Sequence, residues 1–147
     1  PGFQSQFSDA LVAQTSSSDP LGPAIAWARA HLARGGGRDV EVESLAKRAG
    51  MSLRTFHRRC ADVLGTTPAK LVERLRVEHA RTLLATADVP SKTLAATCGF
   101  GSTARMNRAF TRALGVMPRD YRLLFGSRPP RGRKKRVSSL SPRTRRA

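Results

Sequence analysis

Apolar residues recur along the middle of this chain at helical spacing, in short blocks separated by Gly and Pro. Ile25, Ala28 and Leu32 fall on one face, with Trp27 beside them, after a helix start at Asp19-Pro20 and before a stop at Gly35–Gly37. Val42, Leu45 and Ala46 make a second block, predicted to run from about Glu41 to Ala49. Phe56, Cys60, Val63 and Leu64 form an inner stripe at i, i+4, i+7 and i+8, predicting a helix over 53–64. Thr67-Pro68 then opens a long helix, with Leu71, Leu75, Ala80, Leu83 and Leu84 as its apolar side, to about Thr86. Ser91 is expected to cap a short helix carrying Leu94 and Ala95. Met106, Phe110, Ala113 and Leu114 face inward from a helix over 103–114. Tyr121 and Leu124 pack back from a closing helix over 118–125.

Two of these blocks are the same block. Ser52 to Pro68 returns fifty residues later as Ser102 to Pro118, with Arg58/Arg108, Leu64/Leu114 and Gly65/Gly115 in register. Each copy reads as a Ser-capped helix, a Gly stop and a Pro-started helix. A shorter helical signal precedes each, Leu45-Ala46 before Gly50 and Leu94-Ala95 before Gly99, at an offset of 49, so the second turn carries one extra residue. Met51 and Phe100 are expected in equivalent buried places under these turns. Two short helices joined by a Gly-containing turn make a helix-turn-helix unit, and the chain has two. The predicted fold is therefore all-α, with seven helices and two helix-turn-helix subdomains joined by a long linker helix in a homeodomain-like arrangement. The boundaries are 20–66 for the first subdomain, 67–87 for the linker helix and 88–125 for the second. Residues 1–19 read as the end of an upstream domain plus a polar linker, and 126–147 as a disordered basic tail.

Charge sharpens this picture. The chain holds 27 Lys/Arg against 10 Asp/Glu, a formal net charge of +17. Nine of those basic residues and no acid lie beyond Gly126, so the helical part stays basic without the tail. A polyanion is the implied partner, and the tail would add salt-sensitive affinity that ignores sequence. On the third helix, Arg54, His57 and Arg58 share a face distinct from the apolar stripe. On the sixth, Ala104, Arg105, Arg108 and Arg112 do the same. Arginine can donate two hydrogen bonds to guanine O6 and N7 in a major groove. On one helix alone such a face fits solvent as well as a groove; its recurrence in both copies favours the groove.

Other chemistry finds little support. Cys60 and Cys98 show no metal spacing, and Cys60 reads as a small apolar core residue in the slot of Phe110. Neither a nucleophile elbow nor a phosphate loop nor a paired-carboxylate cleft is present, so no enzyme activity and no cofactor or metal are expected. The few aromatic residues fall mostly at core positions, against stacking on single strands. A charge-driven, sequence-independent nucleic-acid-binding protein is the alternative reading. No apolar run approaches the length of a membrane span, and a soluble, cytoplasmic, nucleoid-associated protein is expected. The chain opens without Met at Pro1, and we read it as a fragment of a longer protein.

The repeats, the linking helix and the ending Gly115-x-x-Pro118-x-x-Tyr121-Arg122 resemble the AraC/XylS family of bacterial transcription regulators over about residues 21–125. Gly99-Phe100-x-Ser102 and its spacing to Phe110 are the most specific marks. The resemblance implies double-stranded operator or promoter DNA as partner, with RNA polymerase as a further one, and two helices reading successive major-groove segments. By position, it implies base contacts from Arg54, His57, Arg58, Thr103, Ala104, Arg105 and Arg108. Ser52, Thr55, Ser102 and Arg112 lie where phosphate contacts are expected. Gln4-Ser5-Gln6-Phe7 and Pro20-Leu21-x-x-Ala24-Ile25-x-Trp27-Ala28 further resemble GlxA-type regulators. In those, an amidotransferase-like (PfpI) domain precedes the DNA-binding region and would sense the effector; it is absent here. Cys60 and Met106 replace aromatic residues usual in the family, and Met117 stands where Ser or Thr would cap the last helix.

Overall fold

The computed structural model describes residues 19–126; of the expected upstream segment (1–19) and basic tail (126–147), all but Asp19 and Gly126 lie outside the described residues. Within them are seven helices and no strand: α1 (Leu21–Ala33), α2 (Val42–Arg48), α3 (Leu53–Arg59), α4 (Pro68–Thr86), α5 (Ser91–Thr97), α6 (Thr103–Leu114) and α7 (Pro118–Phe125). A single 3-10 turn, Gly37–Asp39, lies between α1 and α2, where the sequence showed only a stop. The last turns of the third helix also differ from expectation. At Cys60–Leu64 the winding widens to a π-helix that ends on left-handed Gly65, whereas α6 stays α-helical to Leu114.

Local chemistry sets the helix starts. Asp19 Oδ1 accepts the Leu21 N–H at 3.0 Å, opening α1, while its Oδ2 receives Arg59 Nη2 at 2.8 Å. That one buried carboxylate therefore ties the start of α1 to α3. At α2, Ser44 Oγ accepts the Glu41 N–H at 2.9 Å and donates to the Asp39 carbonyl at 2.6 Å. Thr67 Oγ1 accepts the Lys70 N–H at 3.2 Å before Pro68, as its sequence implied. Ser91 does not cap α5. It is the first helical residue behind Pro90, and no side-chain cap is formed, because Pro90 takes the extended backbone that precedes the helix. Met117 likewise leaves α7 without a side-chain cap.

The interior is two cores rather than one. The first gathers Leu21, Ile25, Leu32, Val40, Leu45, Phe56, Cys60 and Leu64 with Leu71, Val72 and Leu75 of α4. The second gathers Val77, Ala80 and Leu84 of α4 with Leu94, Cys98, Phe100, Met106, Phe110 and Tyr121. Phe110 and Tyr121 meet edge to face, ring centroids 5.5 Å apart, which joins α7 to α6. Trp27 is only half-buried at the rim of the first core, stacked on His31 with the Arg48 guanidinium over its ring. Two inward assignments are corrected. Ala113 is exposed and Ala109 is buried instead, because α6 centres its inner face on Met106, Ala109 and Phe110. Leu124 is 66% exposed, since the eight-residue α7 turns only Pro118 and Tyr121 into the core.

Both cysteines are free and fully buried. Burial pushes the Cys60 thiol up to about 11 and the Cys98 thiol up to about 12, the latter against an opposing pull from Arg76. The thiolate is the reactive form. Neither thiol is therefore expected to react with Ellman's reagent near neutral pH until denaturant is added. Rapid release of even one equivalent of chromophore from the native protein would contradict this packing.

Candidate nucleic-acid interface

The two units begin their second helices in the same way. Ser52 Oγ accepts the Thr55 N–H at 3.2 Å and donates to Thr55 Oγ1 at 3.1 Å, while Ser102 Oγ accepts the Arg105 N–H at 3.2 Å. These caps fix where each helix starts and hence which side chains share its outer face. The turns before them match as well. The Met51 N–H bonds the Ala46 carbonyl at 3.0 Å, and the Phe100 N–H bonds the Ala95 carbonyl at 2.9 Å. The extra residue of the second turn is therefore Gly101, placed after Phe100 with φ +91°.

On α3 the outer face carries Arg54, His57 and Arg58, all exposed, while Phe56 and Cys60 are fully buried behind them. On α6, Ala104, Arg105 and Arg108 are exposed and Thr103 is half-buried, with Met106 and Phe110 behind. The side chains of Arg54, His57, Arg58, Arg105 and Arg108 form no ion pair or hydrogen bond among the described residues. Each helix thus turns uncompensated cations outward from a rigid, capped start. Ser52 and Ser102 are exposed and Thr55 half-buried, at the helix N-termini, where backbone N–H groups attract anions.

Arg112 stands apart from that set. Its Nη2 and Nε both donate to Glu73 Oε2, at 2.7 and 3.2 Å, so it pins α6 to α4. Helical spacing puts Arg112 on the outer face, and no local signal pairs it with Glu73, which lies far away in sequence. Other arginines also serve the fold: Arg59 through Asp19, Arg76 through the Val40 carbonyl at 2.7 Å, and Arg122 through the Val89 carbonyl and Asp88. An open recess of about 250 Å³ between α4 and α6 is lined by Glu73 and Arg76 from α4 and by Arg105, Arg108 and Arg112 from α6. Among the described residues no cluster of His, Cys, Asp and Glu could hold a metal ion, and no helix is long and apolar enough to cross a membrane.

Comparison with known proteins gives this geometry a family. Residues 45–123 match the family described as a helix-turn-helix domain. The HTH-type transcriptional regulator Rv1931c of Mycobacterium tuberculosis is 41% identical over 95 residues, which are 65% of this chain and 36% of that protein. The HTH-type transcriptional activator RhaS of Citrobacter koseri is 36% identical over 102 residues, 69% of this chain and 35% of its own length. The chain thus spans about a third of these curated relatives. Among solved structures, the DNA-binding domain of AdpA in complex with a target DNA is 40% identical, with a TM-score of 0.64 over 74% of this chain and 94% of that one. An AraC-type regulator from Chromobacterium violaceum shares the fold at 24% identity, with a TM-score of 0.66 over 77% of this chain and 97% of its own.

The caps make a quantitative expectation. Ser52→Ala and Ser102→Ala should each destabilise the fold by about 1 kcal/mol. Urea unfolding checks this, and an unchanged midpoint for both variants would show that the caps do not set the helix starts.

Proposed function

Because the chain belongs to the AraC-type helix-turn-helix family, we propose that it is the sequence-specific, double-stranded DNA-binding part of a bacterial transcription regulator. The observation that carries this reading is the doubled outer face. Two helices fifty residues apart in sequence, capped alike, both project arginines that no acidic side chain among the described residues neutralises. A guanidinium offered in this way can make the bidentate bond to guanine that gives base choice.

In this reading α3 and α6 enter successive major-groove segments on one side of the duplex. Arg54, His57 and Arg58 contact base edges from α3, and Arg105 and Arg108 do so from α6. Thr103 and Ala104 meet bases at its start, Ala104 suiting a thymine methyl rather than a hydrogen bond. Ser52, Thr55 and Ser102 sit beside phosphates, with Arg112 reaching one through Nη1 while Glu73 keeps its other nitrogens. The 19-residue α4 is about 28 Å long, close to one turn of DNA. The finer assignment rests on the sequence likeness to GlxA-type regulators. There an amidotransferase-like domain senses the effector; RNA polymerase is the further partner that the AraC/XylS likeness implies.

The test begins with selection of bound sequences from random duplexes at about 150 mM salt, where bulk phosphate affinity is already weakened. On the selected site, Arg58→Ala should cost about 1–3 kcal/mol while binding to random DNA stays nearly the same. Equal loss on both, with a salt slope shallower by about one, would make Arg58 a phosphate contact. Tight binding with no enriched sequence would replace this reading with charge-driven association.

A further inference from the structure

Away from the two outer faces, the units touch backbone on backbone. Gly37, buried at the start of the 3-10 turn between α1 and α2, lies against the turn between α5 and α6. A Cβ on Gly37 would stand 2.6 Å from the Gly99 nitrogen and would overlap the Thr97 carbonyl oxygen and the Cys98 carbonyl carbon. The contact is reciprocal. A Cβ on Gly99 would overlap the Gly37 carbonyl oxygen and stand 3.1 Å from the Arg38 nitrogen. Every one of these neighbours is main chain, which cannot swing aside as the end of a side chain can.

The first turn supplies an internal control. Gly50 has φ +70° and Gly99 has φ +85°, so both turns use a left-handed glycine. Yet a Cβ on Gly50 would meet nothing within 4 Å. The turn conformation alone therefore does not account for the crowding at Gly99; the first unit pressed against it does. Gly99 lies four residues before Thr103, where α6 begins, so whatever holds that turn also holds the start of α6.

We propose that the Gly37–Gly99 contact is a clasp that determines half-site spacing: it fixes α6 relative to the first unit, so the protein accepts one separation and phasing of its two DNA blocks. The proposal rests on the paired-readout reading above. Moving one block by a single base pair displaces it by about 3.4 Å and rotates it by about 34° around the duplex. A clasped pair cannot follow such a step, whereas units joined by α4 alone could bend part of the way. Gly37 and Gly99 are thus positioning residues and touch no base themselves.

The clasp can be judged first without DNA. Ala61→Cys and Ala113→Cys place spin labels on exposed sites of the two units, while Cys60 and Cys98 stay buried and protonated. Double electron–electron resonance should give one narrow distance distribution in the otherwise unaltered chain and a broadened or shifted one in Gly37→Ala. Glu73→Gln, which weakens the Arg112 tie but leaves the clasp, should keep the narrow distribution. A broad distribution in the unaltered chain overturns the proposal, and so does broadening by Glu73→Gln. These two arms decide even where Gly37→Ala fails to fold. A folded Gly37→Ala with an unchanged distribution overturns it as well.

The second readout is affinity for selected duplexes whose two blocks are moved apart or together by one base pair. The unaltered chain should lose more than about tenfold, the worth of one lost bidentate contact, and Gly37→Ala markedly less. Equal losses in both proteins overturn the clasp as a determinant of spacing. Failure of the paired-readout reading looks different: no two-block sequence is selected at all. The spacing role then falls with it, while the distance distributions still report whether the units are locked.

Discussion

The inward side of α4 is divided between two cores, and neither core is large enough to dispense with it. Leu71, Val72 and Leu75 complete the first, and Val77, Ala80 and Leu84 complete the second. A fully buried Leu or Val is worth about 1.5–3 kcal/mol, and α4 supplies three buried side chains to each core. Removing α4 would therefore strip both units at once. The same sharing makes the geometry of one unit depend on the other, because a rotation of α4 that improves one core misplaces the residues filling the second.

Charge is sorted by the same frame. Arginines that point along the seams are consumed by the fold: Arg59 on buried Asp19, Arg76 on the Val40 carbonyl, Arg112 on Glu73 and Arg122 at Val89. Those on the outward faces of α3 and α6 keep their donors for something else. Composition alone could not separate the two groups, since both raise the net charge equally. What separates them is the helix start: Ser52 and Ser102 set the phase from which Arg54 and Arg58, or Arg105 and Arg108, face away from Phe56 and Phe110. The likeness to a DNA-bound domain at 40% identity fits this division.

Much of this was legible because it is local. A Ser cap, a left-handed Gly at the end and Pro at the next start are decided within a few residues; α4, α6 and α7 lie where those signals put them, and α3 starts where its cap does, though its last turns widen to a π-helix before Gly65. The errors fall where local signals are mute. Ala suits either face of a helix, so Ala109 and Ala113 could be exchanged without offending the apolar period. Leu124 reads as inward on hydrophobicity alone, but a short terminal helix has only one covered side. Glu73–Arg112 and Gly37–Gly99 join residues distant in sequence, and the glycine contact has no side chain to advertise it. A capped helix also does not state which duplex step lies beneath it, so the individual base contacts stay with the proposal.

Paired readout is tested most directly by methylation interference at guanine N7 on a selected duplex bound by the unaltered chain. Arginine pairs with guanine through that atom, so a methyl group there blocks the contact outright. The account predicts two clusters of interfering guanines on one side of the duplex, about 10 base pairs apart, one beneath α3 and one beneath α6. A single cluster, or none across a tightly bound site, would contradict it.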